Sequence, residues 1–193
     1  MAEIKYNYEK EQNRVAAYDG SKCVGTCEYT APGSIWIITH TKVDPAYGGQ
    51  GIAGALVDGV MQEAKKAGVK VKPFCSYAAK LFQKNPAYGE QEDHSVITVY
   101  GMPTCPDCAY VDAQIADHPS FQFVDVGAHV KNLKAFLRVR DKSPVFDDAK
   151  ENGYAGIPCF VLADGTVTLS PEAVGLQPKP AEGKACRLDG SGC

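Results

Sequence analysis

Long apolar runs are missing from this chain. None approaches the roughly 18 residues that a membrane-spanning helix needs. The opening Met1-Ala2-Glu3-Ile4-Lys5-Tyr6 also has no apolar core of the kind an export signal carries. An excess of either charge is missing too: 20 Lys and Arg stand against 23 Asp and Glu, a formal net charge of −3. That balance argues against nucleic acid and against a membrane surface as partners. No internal repeat is visible, which removes solenoids and arrays. Cysteine, by contrast, is plentiful, with eight in 193 residues. Without an export signal or regular spacing these do not read as a secreted disulfide framework, so in a reducing compartment each has its own reading. The expectation is a cytoplasmic protein, long enough for one large domain or two small ones of about 90 residues each.

The pattern favours two. Residues 84–95 are polar, contain breakers and lack periodicity, and read as a junction. Upstream, residues 14–18 and 22–29 predict strands joined at Asp19-Gly20, and 34–43 predicts a third. Ile52, Leu56, Val60 and Ala64 recur every fourth residue, with Val57 and Met61 beside them, as on one face of a helix ending at Gly68. A strand over 69–74 and a short helix over 77–84 complete this half. Downstream, strands are predicted over 96–100, 121–126 and 159–163. Helices are predicted over 109–116 and 130–140, from Ser143-Pro144, and from Pro171. Asp164-Gly165 turns a hairpin into residues 166–169. The fold class is α/β (α+β): domains over 1–90 and 96–176, then a flexible tail over 177–193 that holds Cys186 and Cys193.

Two segments carry chemistry. The first is Gly48-Gly49-Gln50-Gly51-Ile52-Ala53-Gly54, four glycines in seven residues, running from a strand straight into an amphipathic helix. Successive backbone amides can turn there toward one point, and the helix start adds unsatisfied N–H groups and partial positive charge. That geometry suits a pyrophosphate. The second is Cys105-Pro106-Asp107-Cys108, between a strand and a helix, with Ile157-Pro158 entering a later strand. Thiol–disulfide exchange needs an attacking thiolate stable near neutral pH and a second thiol to release the mixed disulfide. Cys105, at the helix start, suits the first role and Cys108 the second, which makes a Cys105–Cys108 disulfide the working redox pair. Half a zinc site is the competing reading. It lacks partners, since residues 109–185 offer only Cys159, His118 and His129 at unhelpful spacings.

The order of elements in the first half resembles that of GNAT-type acyl-CoA N-acetyltransferases, in particular their small, minimal members. The residues that carry the likeness are Ile38-Thr39-His40-Thr41 with Val43, Pro73 with Cys75-Ser76-Tyr77, and Asn85-Pro86 with Tyr88. Gly51 and Ala53 fit the end of the family's phosphate-loop pattern, and Gly48 replaces its leading Arg or Gln. The resemblance implies acetyl-CoA as cofactor, with its pyrophosphate on residues 48–54 and its acyl arm between two splayed parallel strands, 34–43 and 69–74. It implies Cys75 and His40 as the reactive pair, the Cys as nucleophile or proton donor and the His taking a proton from an amine. The acceptor would be a small-molecule or protein amine. Lys65, Lys66, Lys70 and Lys72 read as a solvated cluster within reach of a CoA phosphate. Cys23 and Cys27, two steps of two apart, read as packing on one strand face.

Residues 96–176 resemble the glutaredoxins, a thioredoxin-like fold. Gly156-Ile157-Pro158 stands where that family has Thr-Val-Pro, and Ser170-Pro171-Glu172 replaces its Gly-Gly-x-Asp. The resemblance implies a cis Pro158, a backbone at Ile157 that pairs with an incoming peptide or glutathione, and a thiol reductant as partner. Cys186 and Cys193 are a candidate redox relay to Cys105. Two other readings stand beside this one. One is a non-catalytic acyl-CoA-binding protein with redox sensing, and the other is a metal-binding protein using Cys105, Cys108, Cys186 and Cys193.

Overall fold

In the computed structural model, which describes residues 3–180, the chain divides into two units between His94 and Ser95. The first opens with β1 (Lys5–Glu9), β2 (Arg14–Asp19), β3 (Lys22–Thr30) and β4 (Ile35–Val43), an antiparallel meander. Helix α1 (Ile52–Ala67) then crosses to β5 (Lys70–Pro73), which pairs parallel with β4, and α2 (Ser76–Lys84) follows at once. Sheet order is therefore chain order. Ile52, Leu56, Val57, Val60, Met61 and Ala64 form the buried face of α1. They pack on Val15, Val24, Cys27, Tyr29, Ile38 and Val71 of the sheet. Each large apolar side chain buried this way contributes about 1.5–3 kcal/mol, so this contact holds the unit together. Strand β1 is not among those the pattern predicts. It is an edge strand whose Lys5, Tyr6 and Asn7 are exposed, so no apolar alternation marks it.

Two irregularities reset the faces of this sheet. Ala17 lies opposite Gly25 and Tyr18 opposite Cys23, which leaves Val24 as an extra residue on β3. Cys23 and Cys27 consequently do not share an environment: Cys27 is buried and Cys23 exposed. On β4 the extra residue is Thr39, since Tyr29 lies opposite Ile38 and Glu28 opposite His40.

The polar stretch after α2 is not a bare junction. A 3₁₀ segment, Pro86–Gln91, buries Tyr88, which packs at a tilt against Phe82 with ring centroids 4.8 Å apart and donates a hydrogen bond to Asp58. Glu92 bridges in parallel to Val71, and the Asp93 amide donates to the Val71 carbonyl at 2.9 Å. The expected boundary at residue 90 falls inside this packed segment.

The second unit contains β6 (Ile97–Gly101), α3 (Pro106–Ile115), β7 (Phe121–Asp125), α4 (Val130–Lys142), α5 (Asp147–Glu151), β8 (Cys159–Val161) and β9 (Val167–Thr168). Its sheet order is β7-β6-β8-β9, with β6 parallel to β7 and antiparallel to β8. Phe136, Phe146, Val126 and Cys159 form a core on one side, the two Phe rings meeting edge-on at 6.0 Å. From Ser143 a 3₁₀ turn, Pro144–Phe146, leads into the short α5, and a second 3₁₀ turn spans Pro171–Val174. Both units are thus mixed α/β structures with mixed sheets. Among the described residues no helix is long and apolar enough to cross a membrane.

Candidate functional site

In the first unit the glycine segment begins as a 3₁₀ turn, Pro45–Tyr47, and ends with Gly51 as N-cap of α1. Gly51 has φ +77°, a conformation that L side chains rarely adopt, and a Cβ placed there would have no heavy atom within 4 Å. No side chain caps this helix among the described residues. The amides of Ile52, Ala53 and Gly54 have no acceptor within the helix and lie at the positive end of a 16-residue dipole. The loop is braced from behind. Lys22 Nζ lies 2.8 Å from Asp44 Oδ2, and the Tyr47 hydroxyl donates to Asp19 Oδ2 at 2.7 Å. Lys22 also sits 5.3 Å above the Tyr47 ring. None of these braces is legible in a local sequence window, because each joins the β2–β3 turn to the segment after β4.

The β4–β5 ladder stops at Ile38 and Pro73, whereas β4 runs on to Val43. At that point the Phe74 and Cys75 amides both donate to the Ile38 carbonyl, at 3.1 and 2.9 Å, and Cys75 becomes the N-cap of α2. Cys75 is half-buried against the core that contains Cys27. His40 is not on that side. It lies in register with Glu28, whose neighbours Cys27 and Tyr29 both belong to the α1-side core, so Glu28 and His40 occupy the opposite face. Thr41 is the β4 residue turned toward the core, and its hydroxyl donates to Cys27 Sγ at 3.5 Å. Strict alternation from Ile38 would put His40 beside Cys75, and the extra residue at Thr39 reverses it. Cys27 itself is no nucleophile, because burial pushes its thiol up to about 12.

In the second unit Cys105 is the N-cap of α3, Pro106 its first residue, and Cys108 lies one turn on. Gly101 makes room for this arrangement. A Cβ there would sit 2.8 Å from Phe123 Cζ and 3.2 Å from Cys108 Cβ, so only glycine lets α3 approach β6 so closely. The Cys108 thiol donates to the Cys105 sulfur. That bond, helped by the Asp107 and Cys108 amides and opposed by burial, lowers the Cys105 pKa to about 6. The same bond, together with burial, pushes Cys108 up. Both are free thiols here. The Ile157–Pro158 peptide bond is cis. Ile157 and Pro158 line a 380 Å³ cavity with Asp107, Val111, Leu169 and Pro171. Cys159 is buried on β8, its thiol raised to about 12 by desolvation, which makes it a packing residue.

No group of three His, Cys, Asp or Glu side chains among the described residues is placed to hold a metal ion. His118 and His129 serve locally, their Nδ1 atoms accepting from the Ser120 and Lys131 amides at 3.2 and 2.9 Å. Cys186 and Cys193 lie outside the described residues.

Comparison with known proteins decides the family. A family model described as GCN5-related N-acetyl-transferase matches residues 2–91. A Haemophilus influenzae protein, described only as uncharacterized, is 43% identical over 68 residues, which are 34% of this chain and 78% of that protein. Residues 2–91 form a GCN5-related N-acetyltransferase domain. Members of this family generally use acetyl-CoA, so an acyltransferase-type function is assigned to the first unit.

The acetyltransferase unit fits that cofactor at the start of α1, where an uncapped helix and open glycines offer amides to a pyrophosphate. It lacks the cationic or amide side chain that Gly48 replaces. The expected lysine cluster does not supply one in its place. Lys72 is buried, not solvated, with its Nζ 2.8 Å from Asp93 Oδ2 and 3.0 Å from the Asp93 carbonyl. Lys70 donates to the Glu90 carbonyl, and Lys66 pairs with Glu63 at 2.6 Å. The acetyltransferase match ends at residue 91, so the second unit rests on its own geometry.

Proposed function

We propose that this chain is an acetyl-CoA-dependent N-acetyltransferase joined to a glutaredoxin-like thiol–disulfide oxidoreductase. For the first activity the supporting observation is the run from β4 through an uncapped glycine turn into α1, beside a β4–β5 ladder that ends at Ile38 and Pro73. Residues 48–54 hold the CoA pyrophosphate on backbone amides, and the acyl arm enters the gap beyond Ile38. Cys75, at the head of that gap, is the reactive thiol. His40, on the other face of β4, receives the proton of an acceptor amine that arrives from that side. The amine belongs to a small molecule or a protein. Mass spectrometry of the intact protein after incubation with acetyl-CoA and an amine panel tests this reading. Acetylated amine should form with the native chain and fall at least tenfold in Cys75→Ala. Undiminished turnover in Cys75→Ala removes Cys75 from the mechanism, and no turnover or CoA binding at all removes the activity.

For the second activity the support is the pair Cys105 and Cys108 at the head of α3, with Ile157 and Pro158 across a cavity. The Cys105 thiolate attacks one sulfur of a substrate disulfide, and the other sulfur leaves as a thiolate. Cys108 then displaces the substrate and closes the Cys105–Cys108 disulfide, which two molecules of a thiol reductant such as glutathione reopen. Reduction of a small organic disulfide, followed with and without glutathione, should be lost in Cys105→Ser. Full activity in that variant refutes the assignment.

A further inference from the structure

Residues 177–180, expected as the start of a flexible tail, are held in place. The 3₁₀ turn Pro171–Val174 ends at Gly175, whose φ is +87°. Leu176 is then buried, its amide donating to the Pro171 carbonyl at 2.9 Å. The next residue meets Gln114 of α3. Gln114 Nε2 donates to the Gln177 carbonyl at 2.9 Å, and its Oε1 accepts from the Gln177 amide at 2.8 Å. Nε2 also donates to the Tyr110 carbonyl at 3.2 Å, one turn back on α3. Both ends of the side-chain amide are engaged, which fixes the way it points. Beyond this clamp comes Pro178-Lys179-Pro180. A proline ring locks φ at about −65°, and the residue before a proline is kept extended, so the stretch is stiff. Pro178, Lys179 and Pro180 form part of the wall of the 380 Å³ cavity at the head of α3.

We propose that Gln114 is a positioning residue: it holds residues 177–180 as a fixed wall, and that wall selects peptide disulfides with an apolar residue beside the cysteine over glutathione disulfide. The proposal rests on the redox reading of the second unit. The lining of the cavity supports the selection. Its charged residues are Asp107 and Lys179, one of each sign. Pro158, Pro171, Pro178 and Pro180 have no backbone N–H to donate. The Asp107 amide is already committed to the Cys105 sulfur. Each half of glutathione disulfide brings two carboxylates, and a lining this poor in donors and cations leaves them underpaired beside Asp107. An apolar side chain is received instead by Val111, Ile157 and Leu169 together with the prolines. At 380 Å³ the cavity lies at the small end of the roughly 300–1,000 Å³ that ligand sites span, which suits the residues flanking one cysteine. Without the clamp the wall moves, water shares the apolar contact, and the selection weakens. The sulfur chemistry stays as it was, because Gln114 lies about two and a half turns along α3 from Cys105.

The test mixes the fully reduced full chain with excess disulfide and no other reductant, then follows closure of Cys105–Cys108 by acid quench and mass spectrometry. In each turnover the substrate S–S bond breaks, the Cys105–Cys108 bond forms, and the two substrate sulfurs leave as thiols. Three probes are compared. One is the symmetric disulfide of a short, end-blocked, uncharged peptide with leucine on both sides of its cysteine. The second has glycine in place of leucine, and the third is glutathione disulfide. With the native chain the leucine peptide should half-saturate at a concentration about tenfold below the other two. Gln114→Leu, which removes both bonds to Gln177, should lose most of that advantage, about tenfold, with the limiting rate unchanged. Pro178→Gly with Pro180→Gly loosens the wall without touching α3 and should do the same, which decides the matter if Gln114→Leu folds poorly. A leucine preference kept in the folded variants overturns the proposal, as does a native chain that takes glutathione disulfide as readily as the leucine peptide. A loss confined to the limiting rate overturns it too, because Gln114 would then only support α3. In each of those cases Cys105–Cys108 still closes and the redox reading stands. A native chain in which it closes with none of the three probes is the failure of that reading instead.

Discussion

Six thiols of one chemical kind occupy different surroundings in the described residues, and depth alone does not sort them. Cys27, Cys105, Cys108 and Cys159 are all buried, yet only at Cys105 do donors to the sulfur outweigh burial and lower the thiol pKa. In the reduced protein, iodoacetamide should therefore modify Cys105 first, with a rate that rises as pH increases through about 6. Cys27 and Cys159, both raised to about 12, should react only on unfolding. Peptide mapping across a pH series decides this, and early labelling of Cys159 would refute it. The same shift bears on stability. The folded-state pKa of Cys105 lies below the ordinary thiol value of about 8.5. Its contribution is thus present above that value and is lost as pH falls through about 6. The urea midpoint of the reduced native chain should accordingly fall more over that window than the midpoint of Cys105→Ser. At the other site Gly54→Glu separates folding from binding. Gly54 lies in the first turn of α1, and a Cβ there would make only an ordinary contact, 3.8 Å from the Tyr77 hydroxyl. A carboxylate at a helix N-terminus stabilises the fold by about 0.3–1 kcal/mol, but it would repel a bound pyrophosphate. Calorimetry should show CoA affinity reduced at least tenfold with the melting temperature unchanged or raised. Unchanged affinity would move the phosphate site away from α1.

Among the elements, those carried by periodic apolar residues were legible in the sequence, and those carried by long-range polar contacts were not. The α1 stripe and its end at Gly68 follow from spacing alone, as does the placing of Cys105 at a helix start. The face of His40 does not, because one extra residue at Thr39 inverts everything beyond it, and bulges leave no local signature. The segment after α2 escaped for a different reason: its anchors are single residues with distant partners. Gln91 Nε2 reaches the Met61 and Val69 carbonyls at 3.3 and 3.4 Å, and Asp93 meets the buried Lys72. Asp93→Ala leaves the Lys72 charge inside the unit without its carboxylate and should cost about 3 kcal/mol. Lys72→Met removes the charge along with its need for a partner and should cost markedly less. Chemical denaturation of the two variants checks this, and equal losses would show that Lys72 does not depend on the Asp93 charge.

At the scale of the whole molecule, the 68 residues shared with the Haemophilus influenzae protein make up 78% of it, so that relative is about the size of the first unit alone. Residues 1–94 expressed by themselves should unfold in a single cooperative transition and bind CoA within about threefold of the full chain, a difference of well under 1.4 kcal/mol. A fragment that is molten or does not bind would mean that the second unit completes the first. The two sheets also differ in how they meet the demands of synthesis. In the first, each strand pairs with the one just made, so the sheet can assemble as the polypeptide emerges from the ribosome. In the second, β8 belongs between β6 and β9 and arrives about sixty residues after β6. Until it does, the flank of β6 is open and Cys105 and Cys108 lie on an unfinished scaffold. A nascent chain paused before residue 161 would carry a finished first unit beside an accessible dithiol. The oxidation state of that dithiol at release would then record the surroundings in which translation took place.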